Sequence, residues 1–598
     1  MVYQLTAPTN LPPLPDIFAH LPPQIAGLQI WLAGLFIAVV YAILVRRREA
    51  ASPAIPLLLA TIVYTGLFIN KFHMIDEVAI NLEHPWNLFH HGRFSMSPVA
   101  WTEGTVEFVF YLLHTPFGWS QESLVTANYG ISWLVGWLHL PLAWRILGAR
   151  PSPARNTLLL SAFACCVPLI VVLATGFGNG LVSLMFVAAI AAAVRNDNTR
   201  AITIAGLLPL LRPDAIFLAA VNGVVITAER WIRERRLLNR HEIGLLIGLP
   251  LLSTAIYYSL FRIAFGHWMP TPIFFKAFKL PMLEMTNWPG FGLTVLTYFL
   301  LGVHLIGAAC ICATLLAVAR RREVAGGRAA TLLAGYAIGT LPLLLVYAFT
   351  RNTIGDFSFL AYARYWIAFE VTLLLLAAVV LGNADRKSPL VGPSILLGMN
   401  LFFALLALTP PSSLGRTDNV SAGALTQRYL APGLTLSTTE MNTFGLMIDR
   451  PVIDLWGYTT PEIAHSKVCN ADRIRNNPEY FLSVKPDVYW PYQFSGVLDP
   501  AVQQGTYYTA EESLATFHHS SKQGNLLGDM TKVLAEYDMV VVQFGEFNLG
   551  YLVRAEKRDQ LIQGFLNNGF RKIQERKYHM DVFRYHYERP RLITHRCG

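Results

Sequence analysis

Ala201 to Arg236 reads "AITIAGLLPLLRPDAIFLAAVNGVVITAERWIRERR", and the number of times this stretch crosses a bilayer decides the fold. As one helix, Ala201 to Ala228 would be about 42 Å long at about 1.5 Å per residue, well beyond a hydrocarbon core of about 30 Å. Pro213 has no N–H and disfavours helix in the residue before it, so "LRPD" is a natural break. Two half-length helices, Ala201 to Leu211 and Ala215 to Ala228, would return "RERR" to the side that holds the other basic loops.

That side is defined by the rest of the chain. Its 598 residues are 54% hydrophobic and 14% charged, against roughly a quarter charged in an average soluble domain. A polytopic α-helical membrane protein is expected. Twelve apolar runs can be drawn, beginning at Gln29, Ala54, Asn128, Thr157, Leu181, Ala201, Ala215, Ile243, Phe291, Ala329, Trp366 and Leu390 and ending at Leu408. With the N-terminus outside, the inner loops read "RRREAASP", "RILGARPSPAR", "RNDNTR", "ERWIRERRLLNRHE", "RRREVAGGR" and "ADRKS". All are basic, as inner loops should be. The net charge of +9 is therefore a topology signal, and the expected partner is a lipid bilayer, not a nucleic acid.

Residues 1–408 read as the membrane part, with an outer loop over 71–127, and 409–598 as an outer soluble domain. β-rich runs such as "YDMVVVQFGEF" alternate there with polar segments, giving a mixed α/β domain. The first 28 residues lack Lys and Arg, so no cleavable signal peptide is expected. Cys165, Cys166, Cys310 and Cys312 lie in apolar runs and read as packing residues, whereas Cys469 and Cys597 could form a disulfide if their domain is extracytoplasmic.

The polar residues of the outer loops allow two readings each. Asp76 and Glu77 in "KFHMIDEVAI" can cap a helix, or a carboxylate there can act as general base toward a hydroxyl. Arg212 and Asp214 can stabilise the helix break as a pair, or Arg212 can hold phosphate oxygens. Lys276, Lys279 and Arg364 can anchor headgroups or join Arg212 around a departing phosphate. "HPWNLFHH" lacks metal-ligand spacing, and Trp86, Phe89 and Phe94 would lay an amphipathic segment on the membrane interface. "GFGNG" reads as a tight turn, not a phosphate cradle.

Taken in order, "IDEVAINLEHPWNLFHHGRFSMSPVAWTEGT", "LLPLLRPDAIFLAAV", "MPTPIFFKAF", "AYARYW" and "IDRPVIDLWGYTTPEIAHSK" resemble segments of GT-C glycosyltransferases, in the subgroup of the mycobacterial terminal β-1,2-arabinofuranosyltransferase. Glu77 stands where that family usually has a second aspartate, and "GFGNG" replaces a turn that often carries an acid. The resemblance implies a GT-C fold of about twelve spans in a bacterial inner membrane, with the site and the C-terminal domain on the periplasmic side. It also implies inverting transfer of a sugar, arabinofuranose by the nearest resemblance, from a polyprenyl-phosphate donor to a glycan or protein acceptor.

On that reading Asp76 is the base, with Glu77 orienting hydroxyls. Arg212, Lys276 and Arg364 hold the donor phosphate, and Asp214, His73 and Glu103 contact substrate. No cofactor is required, although an Asp-Glu pair is compatible with a divalent cation. The alternative class is a transporter or flippase of lipid-linked sugars, for which paired broken helices in two repeated halves would be expected. The sequence has one broken pair.

Overall fold

The computed structural model describes residues 2–8, 16–46, 53–72, 74, 76–96, 105–147, 152–268, 270, 303–320, 327–350, 364, 366–384, 390–406, 417–438, 443–455, 483–490, 496–497, 536–544 and 547–576. His73, Glu103, Lys276, Lys279, Cys469 and Cys597 lie outside them, as do the side chains of Asp76 and Glu77. The chain is a multi-pass membrane protein, mostly helical, with a C-terminal mixed sheet.

After a strand, β1 (Val2–Thr6), two helices form a hairpin, α1 (Gln24–Leu44) and α2 (Ala54–Lys71). Their backbones nearly touch, because a Cβ on Gly66 would lie 2.3 Å from the Trp31 nitrogen. Only glycine permits that approach, which buries the Trp31 ring completely. On its other side α1 presents Phe36, Ile37, Ile43 and Leu44 outward, an apolar surface that water would penalise and lipid would not.

α3 (Asp76–His91) and α4 (Phe108–Leu112) come next, and α5 (Gln121–Leu147) follows. Beyond it lie α6 (Pro153–Ala164) and α7 (Val167–Ala174), set at 52° to each other. The run expected to be one span from Thr157 to Thr175 is therefore bent, at Cys165 and Cys166 just ahead of Pro168. α8 (Asn179–Val194) and α9 (Asn198–Gly206) precede the short α10 (Leu208–Leu211). The break expected at "LRPD" is present, with Arg212 in extended backbone (φ −154°) and a 3-10 turn over Pro213–Ala215.

The helix beyond the break, α11 (Ile216–Glu234), is not half-length. It continues past its apolar run because its charged end is tied by ion pairs. Arg233 meets Glu229 at 2.9 Å and Arg230 meets Glu242 at 2.7 Å, Glu242 belonging to α12 (Arg240–Phe265). α13 (Val303–Ala319), α14 (Gly327–Thr350), α15 (Ile367–Ala384) and α16 (Val391–Leu406) complete the bundle. Among the described residues five helices are long and apolar enough to cross a membrane, or six if α6 and α7 count as one span. Five shorter apolar helices accompany them among the described residues, and the run expected from Phe291 lies partly outside those residues.

One cation of the basic segments has a structural task. Arg155, 2% exposed, donates to the carbonyls of Leu147 at 2.9 Å and Gly382 at 3.3 Å, so it caps the C-terminal ends of α5 and α15. The partial negative charge of those two helix ends offsets its own.

The C-terminal part contains α17 (Thr417–Tyr429), β2 (Leu436–Thr438), α18 (Thr443–Leu446), β3 (Val452–Asp454), β4 (Val488–Trp490), β5 (Gly496–Val497), β6 (Tyr537–Phe544), β7 (Phe547–Arg554), α19 (Arg558–Leu566) and β8 (Arg571–Arg576). The sheet order is β3-β2-β4-β7-β6-β1-β8, with β5 beside β7. β1 thus comes from the other end of the chain, running parallel to β6 with Tyr3 opposite Val540 and antiparallel to β8. Tyr3 and Leu5 are buried in the domain core, and the Arg558 guanidinium lies 4.9 Å from the Tyr3 ring centre. The order also gives the fold a closed topology, since residues 2–6 and residues 571–576, on either side of the helical bundle in the chain, enter one sheet.

Candidate active site

The site is built where the helix break meets the turn "GFGNG" and the segment before α4 that carries Glu107. The extended conformation at Arg212 turns its side chain out of the helical path. Its Nε and Nη2 donate to the two Asp214 oxygens, each at 3.0 Å, a bidentate pair. Its Nη1 donates to Glu107 Oε1 at 2.5 Å and to Asn179 Oδ1. The Arg212 side chain is 11% exposed and that of Glu107 5%, while Asp214 is 56% exposed. One carboxylate partner is internal and the other faces out.

The turn before α8 supplies the rest. Gly176 has φ +82°, a left-handed conformation natural to glycine, and a Cβ there would collide with Asn128 at 2.1 Å. Gly178 N–H donates to Glu107 Oε2 at 2.8 Å, so both Glu107 oxygens are held. Asn179 Nδ2 donates to the Arg364 carbonyl at 2.5 Å, and the Arg364 guanidinium lies 4.0 Å from the centre of the Phe177 ring. "GFGNG" is thus more than a tight turn. It fixes Glu107 through a backbone N–H, Arg212 and the Arg364 backbone through one amide, and the Arg364 side chain through a ring.

Arg212, Asp214 and Arg364 border one cavity of about 320 Å³, together with Asn179 and Ser183. The remaining wall is apolar, formed by residues such as Phe217 and Leu218 of α11, Leu343 of α14 and Ile367 of α15. Two guanidinium groups therefore share a cavity with a greasy wall. The sequence singled out Arg212, Asp214 and Arg364, which the fold brings together. It missed Glu107, Phe177 and Asn179, and the one available signal was a lone acid and a lone amide between apolar runs.

Asp76 and Glu77 open α3, whose next turns are buried: Val78, Ala79, Leu82 and His84 are each 0% exposed. The interfacial segment expected around Trp86, Phe89 and Phe94 is therefore corrected. Phe94 is buried against His84 and Phe108, Trp86 packs on the helical core, and of the three only Phe89 is exposed. Met96 and Val452 pack on Ile80, and His91 Nε2 meets Asp449 Oδ1 at 2.8 Å.

Pro85 cannot donate to the Asn81 carbonyl four residues back, and His84 Nδ1 does so instead at 3.1 Å. Burial holds the His84 imidazole down at about 3 and so neutral. Burial, and then the nearby Asp454 carboxylate, push the Glu83 carboxyl well above the usual carboxylate range. Its Oε1 has no hydrogen-bond partner among the described residues. No group of three or more metal-ligating side chains occurs among them either.

No family model matches the chain, and no curated protein matches it. Solved structures do. ArnT from Cupriavidus metallidurans, bound to undecaprenyl phosphate, is similar at 13% identity and a TM-score of 0.48, over 84% of this chain and 98% of that one. The Archaeoglobus fulgidus oligosaccharyltransferase AglB, in complex with an inhibitory peptide and a dolichol-phosphate, is similar at 11% identity and a TM-score of 0.43, over 81% and 72%. The Archaeoglobus fulgidus oligosaccharyltransferase in complex with Zn and sulfate is similar at 12% identity and a TM-score of 0.41, over 73% and 67%.

Proposed function

We propose that this chain is a GT-C type membrane glycosyltransferase that moves a sugar from a polyprenyl-phosphate donor to a hydroxyl of a cell-envelope glycan or protein. The observation that carries the reading is the cavity at the helix break. Arg212 and Arg364 lie at its polar end and residues of α11, α14 and α15 give it an apolar wall, a match for a phosphate on a lipid chain. The donor sugar expected from the motifs is arabinofuranose.

The chemistry balances without a separate acid. The acceptor oxygen attacks the anomeric carbon as the bond from that carbon to the phosphate oxygen breaks, and the bonding pair leaves with the polyprenyl phosphate. The acceptor proton passes to Asp76 as general base, with Glu77 orienting hydroxyls. Arg212, Arg364 and Lys276 stabilise the charge that develops on the phosphate. Asp214, His73 and Glu103 complete the substrate contacts. The single displacement inverts the anomeric centre.

Twelve spans are part of this reading, and the sheet supports an even number. A membrane cannot separate β1 from the strands it pairs with, so the helices between them cross an even number of times. Six or twelve crossings satisfy this condition and five do not. In our reading both ends lie on the periplasmic side of a bacterial inner membrane.

The test is donor binding. Replacing Arg364 with alanine is expected to weaken prenyl phosphate binding by about 10- to 100-fold, the worth of a charge-assisted hydrogen bond of about 1.5–3 kcal/mol. Titration of the purified protein with a short prenyl phosphate measures it. Unchanged affinity would move the phosphate site elsewhere.

A further inference from the structure

The far end of α11 carries cations that the helix break does not use. α11 has 19 residues, so its C-terminal end lies about 28 Å from the break at about 1.5 Å per residue, close to the thickness of a hydrocarbon core. The turn from there into α12 reads "ERWIRERRLLNRHE" over residues 229–242. Its three acids are all taken. Glu229 meets Arg233 at 2.9 Å and Arg328 of α14 at 3.2 Å, while Arg230 meets Glu234 at 3.4 Å and Glu242 at 2.7 Å. Arg235, Arg236 and Arg240 are exposed and pair with no carboxylate among the described residues.

These three charges sit on a fixed turn. Asn239 and Glu242 cap the start of α12 reciprocally: Asn239 Oδ1 accepts from the Glu242 N–H at 2.8 Å, and Glu242 Oε2 accepts from the Asn239 N–H at 2.9 Å. Leu238 is buried between the two helices' charged ends, and Arg230 ties α11 to Glu242. Arg235 closes α11 at φ +55°, a left-handed conformation that glycine would adopt at less cost.

Large apolar side chains are interleaved with the arginines. Trp231, Ile232 and Leu237 are 48% to 62% exposed, and Ile243, Ile247 and Leu251 continue the exposed apolar surface along α12 at helical spacing. A nucleic acid or an acidic peptide would match the charges and leave that surface in water. A phospholipid matches both, with a phosphate for the guanidinium groups and acyl chains for the apolar side chains. Three uncompensated positive charges favour a headgroup with net negative charge over a zwitterionic one.

We propose that the α11–α12 turn is a binding site for an anionic phospholipid of the surrounding leaflet. Its phosphate lies among Arg235, Arg236 and Arg240, and its acyl chains lie on Leu237 and the outward face of α12. The site is separate from the cavity at the helix break, at the opposite end of α11.

The experiment titrates the full chain in detergent micelles with phosphatidylglycerol, phosphatidylcholine and a short prenyl phosphate, counts bound lipid by native mass spectrometry and records Tm. Phosphatidylglycerol is expected to bind at least about tenfold more tightly than phosphatidylcholine. Arg235→Gln/Arg236→Gln/Arg240→Gln should weaken phosphatidylglycerol binding by about 100-fold, at about fivefold per arginine, and leave phosphatidylcholine and prenyl phosphate binding unchanged. Arg235→Gly provides a variant that favours the folded turn: it should lose about fivefold in phosphatidylglycerol affinity while Tm rises, because glycine suits the left-handed position. Equal binding of the two phospholipids, undiminished phosphatidylglycerol affinity in both variants, or displacement of phosphatidylglycerol by prenyl phosphate or by a polyglutamate peptide would overturn the proposal.

Discussion

Arg212 holds two carboxylates at once, and they differ in exposure: Glu107 is internal, while Asp214 is 56% exposed and occupies the bidentate edge of the guanidinium. A phosphate approaching Arg212 meets that edge already taken. Asp214→Asn should therefore tighten prenyl phosphate binding by about two- to fivefold, since an exposed ion pair is worth about 0.2–1 kcal/mol. The titration used for Arg364 measures it, and weaker binding would contradict this competition between Asp214 and the phosphate. The sequence made Arg212 and Asp214 legible because a charged pair beside a proline stands out inside an apolar run. Glu107 and Asn179 were not legible. What marks them is contact with Arg212, and that contact joins residues far apart in the chain.

Two side chains decide how α3 is built. His84 supplies the Asn81 carbonyl with the donor that Pro85 removes, so His84→Phe should lower stability by about 1–3 kcal/mol, the cost of an unsatisfied buried carbonyl. Adding Pro85→Ala restores a backbone N–H at that carbonyl and should recover much of the loss, which a comparison of Tm values in detergent reads directly. Glu83 tests burial by pH. Its folded carboxyl titrates above the unfolded one, so the unfolded chain releases its proton first and Glu83 lowers stability as pH rises above the ordinary carboxylate range. Glu83→Gln should raise Tm at about pH 8 and change it little at about pH 4, where the unfolded carboxyl is also largely protonated. The sequence marked Asp76 as a helix start but gave the turns from His84 onward the character of an interfacial segment. Their aromatic residues suit a membrane surface, and the cover over α3 comes from Val452 and Asp449, which local pattern does not connect to it.

At the scale of the whole molecule, the C-terminal sheet is completed by β1, whose five residues are inserted between β6 and β8 from far away in the chain. Hydropathy made the membrane class legible. "VYQLT" is too short for that pattern to assign it to a distant sheet. Single cysteines placed in the chain segments beside β1 and β8 should both react with a membrane-impermeant reagent from the same side, and labelling from opposite sides would break the closed topology. The central claim is sugar transfer from a lipid phosphate, and reconstitution tests it most directly. Liposomes holding the protein, a synthetic prenyl phosphosugar and a glycan acceptor should yield extended glycan and free prenyl phosphate in equal amounts. Asp76→Asn should lower the rate by about 10²- to 10⁴-fold, the usual contribution of a general base, while prenyl phosphate affinity is retained. Movement of the phosphosugar across the bilayer with no extended glycan would contradict the account.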